Sequence, residues 1–240
     1  TVNSKFYMFC MGGIENAKFA KKLEKITNET FSKVGNFQEH PHMHVIGTFK
    51  RGPKELPNII KNRLKVKKDG NHFKNNGFVK LKIGYWSGIN YPKVSFEISK
   101  RELYNTPIDF FKEFARSKLR DYNLDYDYLI GMTCEQTPNN NSFLAFENNE
   151  TNLNWSIKES DFKLYSDYLK KFVSFLISNN YAKDFKLREP STEGYSIPSF
   201  VKGGAHHMGT VPYKTNNGFI DKNFAHRNIK NIYFVGASSF

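Results

Sequence analysis

Cysteine is scarce: Cys10 and Cys134 are the only two in 240 residues. They have no C-x-x-C spacing and cannot form a disulfide framework, so both are expected as buried free thiols. Long apolar runs are lacking as well. No stretch approaches the roughly 18 consecutive apolar residues of a membrane helix, and no span is expected. The first residues, Thr1-Val2-Asn3-Ser4-Lys5-Phe6, contain neither an initiator Met nor a basic segment followed by an apolar signal core. The chain reads as one entered partway through, and its compartment stays open with the cytoplasm favoured. Arginine is also sparse. The net charge of +13 invites a nucleic-acid reading, but only seven of the basic residues are Arg and the lysines are scattered. The densest run, Lys61 to Lys68, is expected as a solvated loop, and no nucleic-acid partner is expected. A G-x-G-x-x-G phosphate-binding fingerprint is missing too.

What is present is a globular composition, 39% hydrophobic and 16% aromatic. Phe6 to Cys10 reads as a strand, Met11-Gly12-Gly13 as a turn and Ile14 to Ala20 as a helix. Further strands are predicted at His40 to Phe49, Phe78 to Ile83, Lys93 to Ile98, Tyr126 to Glu135, Ser142 to Phe146 and Asn152 to Ile157. Helices are predicted over Ile108 to Leu119 and after Ser160. Ser160 is placed to cap the second of these, whose apolar positions Phe162, Tyr165, Leu169, Phe172, Val173 and Leu176 keep helical spacing. Strands grouped together and flanked by helices predict an α+β core with a mixed, largely antiparallel sheet. The end, Asn231 to Phe240, reads as a buried strand running into a small-residue turn at Gly236-Ala237, where a backbone can approach a ligand closely.

Two histidine clusters carry candidate chemistry. His206 and His207 lie between Gly204 and Gly209, and an imidazole near neutrality can accept an alcohol proton or hold an alkoxide by a hydrogen bond. Adjacent side chains point in different directions, so one of the pair faces a given substrate, and a structural role for either is the default. His40, His42 and His44 share one strand face by the period of two, a spacing that could hold zinc or iron. No carboxylate or thiol ligand accompanies them, with Glu39 on the opposite face, so a polar strand or a pocket wall is the alternative. Glu135 and Gln136, at a strand end, could hydrogen-bond a sugar-like substrate or face solvent.

Gly12 to Lys18, Gly35 to Pro41, Glu135-Gln136-x-Pro138-Asn139 with Ser142, and His206-x-x-Gly209-Thr210 with Ile220 to Asn223 and Asn231 to Phe240 are four motifs that, in this order, resemble the C-terminal part of the glucose-methanol-choline family of flavin-dependent oxidoreductases. Gly12-Gly13-Ile14-Glu15-Asn16-Ala17-Lys18 is similar to that family's G-G-I-E-N-A-R helix start. Gly35-Asn36-Phe37-Gln38-Glu39-His40-Pro41 is similar to its G-x-N-L-Q-D-H-P element. Glu135-Gln136-x-Pro138-Asn139 with Ser142 looks like E-Q-x-P-N-x-x-S. His206-x-x-Gly209-Thr210, Ile220-Asp221-Lys222-Asn223 and Asn231 to Phe240 look like the signature H-x-x-G-T, V-D-x-N-x and N-L-Y-V-A-G-S-S-x-F-P.

The resemblance implies FAD as cofactor and a small alcohol or sugar as substrate, with the electron acceptor open. It implies His206 as the group that accepts or stabilises the hydroxyl proton during hydride transfer to flavin. It gives Gly236, Ala237 and Ser238 to the turn beside the flavin dinucleotide, and leaves His207, His40, Glu135 and Gln136 as supporting or substrate-facing candidates. It divides the chain into 1–37 and 203–240, belonging to an incomplete α/β flavin domain, and 38–202, a substrate domain. The chain departs from the pattern at Val211-Pro212-Tyr213, where an Arg-Met pair is usual, and at Asn228, where glycine is. It stops at Phe240, before the elements carrying a second catalytic His or Asn, and is expected to be inactive alone. Two alternatives remain: a basic, non-catalytic binding module, and a metal hydrolase built on His40, His42 and His44.

Overall fold

A computed structural model describes residues 4–27, 33–56, 83–85, 94–100, 125–148, 150–188, 200–211 and 219–239, with 111, 112, 114, 115, 118, 197 and 198. In chain order the elements are β1 (Tyr7–Phe9), α1 (Gly13–Thr27), β2 (Lys33–Gly35), β3 (Pro41–Arg51), β4 (Ile83–Tyr85), β5 (Val94–Lys100) and β6 (Tyr128–Cys134). They continue with β7 (Phe143–Glu147), β8 (Glu150–Asn154), α2 (Glu159–Ser178), β9 (Ala182–Leu187), β10 (Val201–Gly203), β11 (Ile232–Phe234) and a 3-10 turn, Ala237–Ser239. Helices mixed with mainly antiparallel sheets make this an α+β chain.

The chain folds as two compact units. One gathers Thr1–His40, Gln136–Lys158 and Gly203–Phe240, and the other Pro41–Glu135 and Glu159–Lys202. The sequence-based division had kept 136–158 inside the segment 38–202. That stretch groups instead with the terminal segments, because β7 pairs antiparallel with β2, Val34 facing Leu144, and hairpins onward to β8.

In the Pro41–Glu135 unit the sheet runs β10-β3-β6-β5-β4, with β9 also paired on β3. Strand alternation points Val94, Phe96 and Ile98 of β5, and Ile130, Met132 and Cys134 of β6, into the core. Along α2, all six apolar positions predicted from helical spacing are buried, from Phe162 to Leu176. Phe172 stacks on Phe96 at 4.3 Å and 5°. Burying one such ring contributes roughly 1.5–3 kcal/mol before the entropy cost of ordering it. The helix starts at Glu159, so Ser160 lies in its first turn instead of capping it. Strand β9 escapes a hydrophobic-pattern reading because Ala182-Lys183-Asp184-Phe185-Lys186-Leu187 is mostly polar and exposed. Asp184 has φ +52°, where the register with β3 shifts between Thr48 and Lys50.

In the other unit, α1 carries two apolar stripes. Ala17, with Ile14 beside it, meets Phe37 and Leu144, while Ala20 and Leu23 meet Val211, Ile220 and Phe234. β1 and β11 pair in parallel, Tyr7 with Ile232 through Phe9 with Phe234. Cys134 is buried as expected, but Cys10 is exposed. It follows β1 directly, where Met8 and Met11 are also exposed, and no described layer covers that side of the short strand pair.

Of the predicted strand 78–83, only Ile83 is described, and the basic run 61–68 lies outside the described residues. Within the predicted helix 108–119, Phe111 and Phe114 are helical but exposed, not turned into a core. Among the described residues no helix is long and apolar enough to cross a membrane.

Candidate active site

Apart from Pro41 and Glu135, the residues of all four motifs fall in the unit of Thr1–His40, Gln136–Lys158 and Gly203–Phe240. Segment 36–40 and segment 206–210 are joined by a two-bond bridge: Gln38 N–H donates to the Met208 carbonyl at 3.1 Å, and Met208 N–H to the Gln38 carbonyl at 3.0 Å. Phe37 N–H donates to the Ser142 carbonyl at 2.9 Å, which brings in the third motif. Gly209 sits at φ +73°, and a Cβ there would stand 2.2 Å from the Asn36 carbonyl oxygen. Only glycine allows both that backbone and that approach.

The same loop is sewn to the two turns that end β1 and β11. Thr210 Oγ1 donates to the Gly13 carbonyl, a bond buried in the interior. Gly209 N–H donates to the Ala237 carbonyl at 3.1 Å and Val211 N–H to the Ser238 carbonyl at 2.7 Å. Asn16, fully buried, ties the two turns together. Its Nδ2 donates to Ser238 Oγ at 2.7 Å and to the Phe9 carbonyl at 3.3 Å, and its Oδ1 accepts from Met11 N–H at 3.2 Å. Because β1 and β11 are parallel, both turns leave from the carboxyl ends of their strands, the side where α/β sheets take ligands. Gly236 has φ +113° and is exposed, and among the described residues, its chain neighbours aside, no atom lies within 4 Å of the position its Cβ would take.

The double histidine divides cleanly. His206 is exposed, and the backbone before it is in the left-handed region at Ala205, φ +58°. His207 turns inward: its Nε2 is 3.2 Å from Glu39 Oε2, and its ring lies 5.5 Å from that of Phe37. The His40 ring meets the His206 ring edge-on, centroids 5.2 Å apart.

Other expected residues have different surroundings. Gln136 is buried and its amide is engaged by the protein: Nε2 donates to the Ser156 carbonyl at 2.7 Å and Oε1 accepts from Trp155 Nε1–H at 2.8 Å. Ser238 is buried, its hydroxyl accepting from Asn16, so its side chain presents no surface to a ligand. Glu135 belongs to the other unit, where its carbonyl accepts from the Tyr165 hydroxyl at 2.8 Å. Burial, with Cys134, Asp161 and Glu135 nearby, pushes the Tyr165 hydroxyl well above its ordinary range, and burial likewise raises the Cys134 thiol.

His42 and His44 lie 6.1 Å apart, ring to ring, with His42 Nδ1 3.4 Å from the Thr133 hydroxyl. His40 falls in the other unit, with His206. Among the described residues no three His, Cys, Asp or Glu side chains are arranged to hold a metal.

Sequence reading missed Glu39 and Asn16 as organising residues. Each stands inside a recognised motif, but its burial depends on hydrogen-bond partners that other segments supply. No family model matches the chain, and no curated protein matches it significantly.

Proposed function

We propose that this chain is the histidine-bearing part of an FAD-dependent oxidoreductase of the glucose-methanol-choline type, acting on the CH–OH group of an alcohol or sugar-like substrate. The observation that carries the reading is the stitching of the His206 loop to the Gly13 and Gly236–Ser238 turns by Thr210, Gly209 and Val211. Motifs far apart in sequence are thereby brought together.

The residues fit a flavin in one respect that geometry can test. The exposed, left-handed Gly236 leaves open space where a side chain would otherwise stand, so the backbone of Gly236 and Ala237 would hold the dinucleotide at close range. The bound flavin supplies the electron-pair acceptor for the substrate's carbon-bound hydrogen. His206, exposed on a loop bonded at both flanks, takes the hydroxyl proton. His207 is held inward by Glu39 and Phe37 and steadies the loop. Gln136, with its amide spent on Trp155 and Ser156, shapes the backbone behind Glu39 instead of binding substrate.

The test uses the full protein that carries this chain. It is expected to be yellow, to release flavin on denaturation, and to bleach anaerobically with an alcohol or sugar. His206→Ala is expected to slow bleaching by about 10²–10⁴-fold, and His207→Ala by far less. A colourless protein with no releasable flavin refutes the cofactor, and equal effects of the two substitutions refute the assignment of His206.

A further inference from the structure

Glu39 is a carboxylate only 3% exposed, and a charge so buried costs several kcal/mol unless donors surround it. The donors come from histidines. Oε1 accepts the backbone N–H of His40 at 2.9 Å and the backbone N–H of His206 at 2.8 Å. Oε2 stands 3.2 Å from His207 Nε2. Gly203 closes over the other side, where a Cβ would come within 3.1 Å of the Glu39 Cγ. One oxygen thus fixes the main chain of two residues from distant segments, and these are the two whose rings meet at 5.2 Å and 66°. A carboxylate serving the fold alone could cap any pair of amides. This one holds the exposed His206 and the half-buried His40 side by side, on the face left open to solvent.

We propose that His40 is a substrate-positioning imidazole beside His206 and that Glu39 is the residue positioning the His40–His206 pair, an inference that rests on the flavin oxidoreductase reading. At this ring spacing, one nitrogen of each imidazole can reach a shared hydroxyl oxygen at about 2.8 Å. The substrate O–H bond breaks with its proton passing to His206. A bound flavin would take up the carbon-bound hydrogen with its electron pair as the C–O bond becomes a carbonyl. A His40 ring N–H donates to the same oxygen throughout and transfers nothing. Positioning matters because a displacement of about 1 Å in a reacting group costs on the order of 10²-fold in rate.

The test compares Glu39→Ala, Glu39→Gln and His40→Ala in the full, flavin-loaded protein, with two readouts. The first is the nuclear Overhauser effect between the His40 and His206 ring protons in histidine-labelled protein. The second is the anaerobic flavin-reduction rate. The ring-to-ring signal is expected in the wild type and in Glu39→Gln, whose Oε1 can accept the same two amides, and is expected to vanish in Glu39→Ala. Reduction is expected to slow about 10²-fold in Glu39→Ala and His40→Ala, with Glu39→Gln recovering at least about tenfold of the loss. Wild-type reduction in His40→Ala overturns the substrate-positioning role of His40. An unchanged ring signal in Glu39→Ala overturns the clamp. A wild type that no alcohol reduces refutes the flavin reading, while the ring signal still decides the clamp on its own.

Discussion

Asn16→Leu is a near-isosteric change that removes every polar contact of the buried amide linking the β1 and β11 turns. Three hydrogen bonds go, at 2.7, 3.2 and 3.3 Å. They are not equal. The Phe9 carbonyl keeps a second donor, Val235 N–H at 3.0 Å, so its loss is mild. Met11 N–H loses its side-chain acceptor, and the fully buried Ser238 hydroxyl loses its donor. With about 0.5–1.5 kcal/mol per bond and about 1–3 kcal/mol for a stranded buried group, the cost is about 2–4 kcal/mol. The extra apolar surface of leucine returns about 1 kcal/mol at most. The assay is equilibrium urea unfolding of the 240-residue chain in a Trp86→Phe background, which leaves Trp155 as the one tryptophan within these residues. Trp155 lies against the cluster of Ala17, Phe37 and Leu144 in the same unit as Asn16. Ser238→Ala should cost about 1 kcal/mol and be non-additive with Asn16→Leu, because both delete the same bond. A loss under about 0.5 kcal/mol for Asn16→Leu, or strict additivity, refutes the view that this amide holds the turns together.

Gly209→Ala forces a side chain to within 2.2 Å of the Asn36 carbonyl at φ +73°; the expected loss is about 3 kcal/mol or more, and wild-type thermal stability refutes it. At high pH, the raised Cys134 and Tyr165 groups have ordinary values of 9.0 and 10.0. The unfolded chain therefore gives up these protons first, so stability is fully present below about pH 9 and falls as pH rises beyond it. Tyr165→Phe should flatten the slope of urea midpoint against pH above about pH 9.5, and an unchanged slope refutes the assignment. Thiol labelling of the native chain should modify Cys10 rapidly and Cys134 only after unfolding, a contrast set by their exposed and buried positions.

Local periodicity made α2 legible from its side chains, because a helix packed on a sheet must show one apolar stripe and Phe162 to Leu176 keep that spacing. β5 and β6 were legible by alternation for the same reason. β9 was not: its pairing with β3 comes from backbone bonds and a register shift, neither of which leaves an apolar pattern in Ala182 to Leu187. The regrouping of 136–158 was hidden likewise, since β2 offers only Lys33-Val34-Gly35 as a signal. In the site, the spacing of His206, Gly209 and Thr210 is local and could be read directly. Glu39 could not, because what makes it an organising residue is two amides and an imidazole delivered by folding.

That distinction bears on how a perturbation should travel. The site has no single element of its own; it is a seam among β1, α1, the 36–40 segment, the 203–211 loop and the Gly236 turn. Asn16 bonds Ser238, the Ser238 carbonyl takes Val211 N–H, and the Ala237 carbonyl takes Gly209 N–H. The next bridge, Gln38 with Met208, leads to Glu39 and so to both histidines. Each link is a hydrogen bond worth about 1 kcal/mol net, too little to hold a loop alone, but the links share residues and their loss should be cooperative. A change at Asn16, which touches neither histidine, is therefore expected to weaken the His40–His206 ring signal as well as stability. A change in α2, such as Tyr165→Phe, which removes the bond to the Glu135 carbonyl, should lower stability and leave that signal intact.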